Sequence, residues 1–162
     1  MHFECVEADE ALLGRIWEKN IAANPGDERW TRWRDEYLAN HAEGRSRTFL
    51  VLADGEPVGE GTLLMAPACS AIGGRICLAD GAGTANVNAL RIEKRFEGQG
   101  HVSRLVRRME DFARERGIQR LTIGVEARET RNLAIYLHWG YVDFVMSEEE
   151  DGELVLYYAK RL

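Results

Sequence analysis

Apolar and polar positions alternate over residues 2–7, the two-residue period of a strand with one buried face. From Glu10 the period lengthens. Leu12, Leu13, Ile16, Trp17 and Ile21 fall on one side of a helix predicted over 10–20, and Asp9 stands where a side chain can accept a free N–H of its first turn. Asn24-Pro25-Gly26 interrupts this pattern. Asp27 then caps a second amphipathic segment in which Trp30, Trp33, Tyr37 and Leu38 recur at helical spacing. At that spacing the two tryptophans belong either to a core or to the wall of a binding site. The runs 48–53 and 56–65 flank Asp54-Gly55, a favoured two-residue turn, and read as a hairpin.

The stretch 66–83 is rich in Gly, Ala and Ser and has little periodicity; residues 75–78 are its one candidate strand. Residues 87–92 read as a strand. A helix over 100–116 follows, burying Val102, Leu105, Val106, Met109, Phe112 and Ala113 and stopped by Gly117. Then come a strand at 121–125, a helix at 129–139 capped by Gly140, and a closing hairpin of 142–147 and 154–161 over the acidic turn Glu148-Glu149-Glu150-Asp151-Gly152. The predicted order is β-α-α-β-β-β-α-β-α-β-β. That order describes an α/β fold of the α+β kind, a mixed and mostly antiparallel sheet with helices on both faces.

With 162 residues the chain is expected to form a single domain over 1–162, large enough to bury most of the surface it exposes when unfolded. A composition 45% hydrophobic and 30% charged indicates neither disorder nor a membrane protein, and the first residues lack the basic-then-apolar pattern of a signal peptide. Cys5, Cys69 and Cys77 match no zinc or disulfide spacing and read as reduced thiols of a cytoplasmic protein. The net charge of −6 argues against nucleic-acid binding and mildly favours cationic small molecules. Basic residues nevertheless gather locally: Arg91, Lys94, Arg95, Arg104, Arg107 and Arg108 surround one turn.

That turn is Arg95-Phe96-Glu97-Gly98-Gln99-Gly100-His101-Val102, between a predicted strand and a predicted helix. Two glycines one residue apart let the backbone bend tightly and gather N–H groups at the positive end of a helix dipole, a setting suited to a pyrophosphate. Downstream lies Tyr136-Leu137-His138-Trp139-Gly140-Tyr141. The two stretches together resemble the GNAT superfamily of N-acyltransferases, whose phosphate loop reads Q/R-x-x-G-x-G/A and whose later helix ends in L-Y-x-x-x-G-F/Y. The likeness covers about residues 88–144 directly, and the predicted element order is also that of the GNAT fold.

The resemblance implies an acetyl-CoA-dependent N-acetyltransferase that moves an acetyl group to a primary amine of a small molecule or peptide by direct attack on the thioester. Such a reaction needs the donor held beside the acceptor, a deprotonated amine, a stabilised oxyanion and a protonated leaving thiolate. By the same likeness, Gly98, Gln99, Gly100, His101, Val102 and Ser103 would offer main-chain N–H groups to the pyrophosphate, and Arg95 or Arg104 would add charge. Leu90, Arg91 and Ile92 would pair main chain to main chain with the pantetheine arm, a backbone N–H near Ile92 serving the acyl oxygen. Trp30 and Trp33 would lie on the helix pair that walls the acceptor pocket. Tyr136 would protonate the thiolate, since a phenol pKa of about 10 nearly matches an alkyl thiol.

Two positions depart from the family pattern. The Asn common seven residues before the tyrosine falls on Glu129, and Asn132 stands where Ala is usual; Asn132 would serve the pantetheine contact only if the helix starts differently. The strand position that often holds a carboxylate base is Asn88, which cannot take a proton. Glu60, on the neighbouring strand, is the substitute candidate, because desolvation at the sheet centre would raise its pKa to a useful value. A water chain from Asn86 or Asn88 serves equally, and His101 and His138 are lesser options.

No metal-binding spacing, nucleophile elbow, nucleotide-triphosphate loop or dinucleotide fingerprint is present, and with the resemblance this narrows the ligand to coenzyme A. The competing reading is a module that binds acyl-CoA without turning it over, and a hydroxyl acceptor fits the same donor chemistry. Partners expected are a small-molecule or peptide amine, with no nucleic acid and no membrane. The exposed edge of the closing hairpin is compatible with a homodimer.

Overall fold

Strand β2 (Ser46–Ala53) is buried along almost its whole length, and in the computed structural model, which describes residues 1–162, helices cover both faces of its sheet. Phe49, Val51 and Ala53 join one core while Leu50 and Leu52 join a second, as the two-residue period requires. The first core is closed by α3 (His101–Glu115) through Leu105, Val106, Met109, Phe112 and Ala113. The second is closed by α1 (Glu10–Ala23) and α2 (Arg29–Ala42) through Leu13, Ile16, Trp17 and Tyr37. Each such side chain is worth about 1.5–3 kcal/mol when taken fully out of water, so the apolar stripes account for both helix layers.

The remaining strands are β1 (Phe3–Glu7), β3 (Glu56–Leu64), β4 (Thr84–Ile92), β5 (Arg120–Glu126), β6 (Asp143–Glu150) and β7 (Glu153–Arg161), and the last helix is α4 (Thr130–His138). They form a seven-stranded sheet in the order β1-β2-β3-β4-β5-β7-β6. All neighbours are antiparallel except β4 and β5. The element order and mixed sheet are those predicted. No helix is long and apolar enough to cross a membrane.

The parallel pair opens. β4 and β5 are bonded only where Thr84 to Val87 face Arg120 to Ile123. Beyond that point β5 stays with β7 as far as Glu126, while β4 stays with β3 as far as Ile92. A bulge steers β4 away: Glu60 faces Arg91 and Thr62 faces Asn88, so Gly61 alone opposes both Ala89 and Leu90. Ala89 adopts a φ of +51°, which costs a residue with a side chain roughly 1–2 kcal/mol. Gly61 lets α3 sit over this bulge, since a Cβ there would lie 2.7 Å from Met109 Cε and 3.0 Å from Leu90 Cδ1.

Several local expectations are corrected. Residues 75–78 are not a strand. The segment folds on itself in turns such as Ile72 N–H to Cys69 O and Leu78 N–H to Arg75 O, and it is pinned by buried Cys69, Ile72 and Leu78. Glu148 to Glu150 belong to β6, because Asp151 and Gly152 both take positive φ and close the hairpin alone. Asp27 holds the N–H of Arg29, at 3.1 Å, but α2 begins two residues after it with no side-chain cap. On α3 the buried stripe takes in Glu110, whose carboxylate receives Tyr141 Oη at 3.0 Å and Lys160 Nζ at 2.9 Å, while Val102 is only half-buried.

Candidate functional site

After β4 the chain makes one turn of 3-10 helix over Lys94–Phe96 and enters α3 through Gly98 and Gly100, at φ +73° and +85°. The main-chain N–H groups of Gly98, Gln99, Gly100, His101, Val102 and Ser103 have no acceptor within the protein. Left-handed backbone at both glycines turns the loop, and the start of α3 adds its own free donors and the positive end of its dipole. Six consecutive unpaired donors form a cradle for an oxyanion-rich group. Lys94, Arg95 and Arg104 are exposed around it, with Arg95 laid over the Phe96 ring and paired to Glu93 at 3.0 Å.

The imidazole of His101 does not share this exposure. It is buried against Phe3 and Phe96, with ring centroids 4.4 Å and 6.4 Å away, and neither nitrogen finds a partner. Burial, aided by the charge of Arg104, lowers its pKa from the ordinary 6.5, which favours the neutral ring and makes it a weaker base than a free imidazole. The unfolded chain therefore binds a proton first. Stability is full above about pH 6.5 and is lost progressively as the pH falls toward the depressed value. Replacing His101 by Phe is expected to flatten the fall of melting temperature between about pH 7 and pH 5, checked by thermal unfolding across that range; an unchanged slope assigns the acid sensitivity elsewhere.

From the cradle a groove of about 460 Å³ runs between Leu90, Ile92 and Val102 on one bank and Asn132, Ile135 and Tyr136 on the other. It leads to the opening between β4 and β5, a gap of about 270 Å³ bounded by Asn88, Ala89 and Leu90, by Gly124 and Val125, and by Tyr136. Glu93 N–H bonds Val58 O toward β3, so by strand alternation the N–H groups of Ile92 and Leu90 face the open side. Tyr136 borders both groove and gap, and its pKa is raised by burial and then by the charge of Glu129. Asn132 stands on the groove wall, its amide donating to Glu129 at 2.7 Å. Ser103 Oγ receives Arg107 at 3.0 Å.

A third cavity, about 620 Å³, lies across β4 between α1, α2 and the 66–83 segment, walled by Trp17, Trp33, Tyr37 and Arg91. It shares only Asn88 and Ala89 with the gap. The bulge is thus the threshold between the two spaces. Tyr37 donates its hydroxyl to Asn88 Oδ1, Asn88 donates to Asn86 at 3.1 Å, and Asn86 to Thr122 at 2.9 Å. These residues form one hydrogen-bonded chain from α2 to β5. Trp33 lines the cavity, and Trp30 packs behind it at 5.1 Å.

Glu60 is buried as anticipated, but not alone. Its Oε2 accepts Asn20 Nδ2 at 2.7 Å and Arg91 Nε at 3.3 Å, and its Oε1 accepts Arg91 Nη2 at 3.2 Å. A carboxylate so engaged orients Arg91 rather than standing ready for an amine proton. The main chain of Arg91 pairs with β3, and its guanidinium, bonded to Glu60, lies over Trp17 and Trp30 and does not line the groove. Sequence reasoning overlooked Tyr37 and Ala89. Tyr37 reads as one more position of an amphipathic stripe, and no residue pattern announces a positive φ at an alanine.

The fold has close counterparts among solved structures. Ribosomal-protein-alanine N-acetyltransferase from Brucella melitensis superposes with a TM-score of 0.72 at 17% identity, covering 98% of this chain and 99% of that one. YncA from Salmonella typhimurium, solved with its cofactor acetyl-CoA, gives 0.71 at 16% identity over 100% and 95%. PaiA N-acetyltransferase from Thermoplasma acidophilum, in complex with coenzyme A, gives 0.64 at 13% identity over the full length of both chains. No curated protein matches the sequence. The model of the acetyltransferase (GNAT) family matches residues 12–141, a span that takes in most of α1, the bulged strand, the glycine turn and the whole of α4. The chain belongs to the GNAT family of acetyltransferases.

Proposed function

We propose that the protein, acting as one domain, is an acetyl-CoA-dependent N-acetyltransferase whose acceptor is a primary amine entering the cavity beside α1 and α2. The observation that carries this is the run of free N–H groups from Gly98 to Ser103, opening by a continuous groove onto the gap that Tyr136 borders. Those donors fit a pyrophosphate, and the unpaired edge of β4 at Leu90 and Ile92 fits an arm bearing amides. Acetyl-CoA, when bound, supplies a thioester carbonyl open to a nucleophile.

The chain's own residues then divide the remaining work. Gly98 to Ser103 and exposed Arg95 hold the phosphates, with Asn132 beside the arm on the opposite bank. Ile92 N–H is the donor to the acyl oxygen, fixed by its strand before the reaction begins. Tyr136 keeps its proton until the thiolate takes it. Asn88 and Tyr37, locked together at the threshold, bound the path by which the amine arrives. Neither is a base, and Glu60 is engaged with Arg91, so the amine sheds its proton to water in the open cavity. Accordingly kcat/KM is expected to climb with pH in step with the free-amine fraction of the acceptor; a plateau setting in near neutrality would place a base in the protein. The free thiols at Cys5, Cys69 and Cys77 agree with a cytoplasmic setting.

The reading is tested by calorimetry with coenzyme A and by thiol release from acetyl-CoA across a panel of amines. Heat of binding and turnover on at least one amine are expected. Absence of both heat and thermal shift overturns the proposal, and binding without turnover on any amine reduces it to ligand binding.

A further inference from the structure

We infer that the acceptor is an amine carrying a carboxylate a few bonds from its nitrogen, with an apolar or aromatic body, as in an α-amino acid, and that the outer edge of Arg91 is what receives the carboxylate. This rests on the proposed function and on a count of which hydrogen-bonding groups in the 620 Å³ cavity remain free. Most are taken. The hydroxyl of Tyr37 is given to Asn88 and the amide of Asn88 to Asn86. Glu36 accepts Ser70 Oγ at 2.8 Å and lies 4.0 Å from Arg32. Glu36 Oε1 is the one carboxylate oxygen left without a hydrogen bond, at the α2 side; what is left unfilled beside β4 is a set of donors.

Arg91 engages Glu60 through Nε and Nη2 only, so both hydrogens of Nη1 are unpartnered. Its side chain is 34% exposed, against 1% for Glu60, so the pair is buried at the carboxylate and open at the guanidinium. The Trp17 and Trp30 rings, 5.3 Å and 4.9 Å from Cζ, hold the fork in place. The indole N–H of Trp17, another residue of this wall, is buried without a partner. Glu60 therefore works as a positioning residue that aims a planar, pre-organised donor pair into an aromatic cavity, an arrangement matched to a carboxylate. Along β4, Arg91 stands two residues from Ala89, roughly 6–7 Å, so an acid group seated there leaves a nearby nitrogen at the threshold.

The experiment compares matched pairs, L-phenylalanine with phenethylamine and L-leucine with isopentylamine, by calorimetry on coenzyme A-saturated protein and by thiol release from acetyl-CoA. The acids are expected to bind at least about tenfold tighter than their decarboxylated partners, the difference lying in KM rather than kcat, as a charge-assisted pair of bonds warrants. In the double variant Arg91→Gln with Glu60→Gln, which leaves no lone buried charge, the preference should fall to near one while the coenzyme A-induced thermal shift persists. Equal binding of acid and amine by the unmodified protein, or a preference surviving the double variant, overturns the inference. Because binding is read directly, a protein that holds coenzyme A yet acetylates nothing fails the earlier proposal while this one is still decided by the heats.

Discussion

Tyr136→Phe is expected to lower kcat by about 10²- to 10³-fold while coenzyme A affinity stays within about threefold, the scale of a lost general acid. The substitution removes one oxygen and little packing. The ring keeps its neighbour Trp139, 5.7 Å away, and the hydroxyl has no partner in the protein to strand. A hydroxyl free of structural duty, bordering both the groove and the gap, is placed for proton delivery where the thiolate leaves. Burial and Glu129 push its pKa above the ordinary 10, so the acid is somewhat weaker than a free phenol but fully protonated throughout the neutral and mildly alkaline range. No decline of kcat below pH 10 should therefore trace to this group, and proton transfer should come late, when sulfur carries most of its charge. Steady-state thiol release beside calorimetry decides the matter; a variant with undiminished kcat and intact binding removes Tyr136 from the chemistry.

Gly100→Val should raise the Kd for coenzyme A by about 100-fold. Nothing lies within 4 Å of a Cβ built at Gly100, so no clash is involved. The effect comes from the backbone: at φ +85° a β-branched residue is strained by more than the roughly 1–2 kcal/mol that any side chain costs in the left-handed region. The turn relaxes by rotating, the donors cease to converge, and losing one or two bonds to a charged phosphate at about 1.5–3 kcal/mol each accounts for the drop. Gly100→Asn provides the control, since Asn tolerates this conformation and should keep most of the affinity. Equal losses for Val and Asn would mean that backbone geometry is not the cause. Both measurements belong beside a melting curve, because the exposed turn should cost the fold only a few degrees.

Much of the architecture is local and could be read from the residues. Asp54-Gly55 specifies its hairpin because both positions take positive φ, and Asp9 caps α1 by accepting Leu12 N–H at 2.8 Å. The stripe on α3 follows from its period, and the glycine turn from two residues that alone accept left-handed backbone without strain. Glu110 escaped that reading. A carboxylate in a buried stripe is tolerable only because Tyr141 and Lys160, both far along the chain, arrive to pair with it.

The candidate site divides in the same way. The proposed donor half, from Gly98 to Ser103 and at Tyr136, lies on contiguous motifs that can be read along the chain. Its acceptor half was not, because it is assembled from four separate stretches. Whether Glu60 serves as a base or as an anchor depends on Asn20, 40 residues before it, and on Arg91, 31 residues after it. The substitute-base expectation took no account of those partners, since what reaches a carboxylate across a sheet is not written beside it. The places of Asn132 on the groove wall and of Trp33 on the cavity wall likewise became definite only once α4 and α2 had been set against β4 and β5.

By itself the sequence determined the order of the elements, the family and the tight glycine turn before α3, since each depends on interactions within a few residues or on simple periodicity. The tertiary structure alone decided where β4 parts from β5, that Ala89 marks the threshold between two cavities, and which way Arg91 faces. Those outcomes arise from side chains distant in the chain competing for the same space and the same hydrogen bonds, a competition with no local signature.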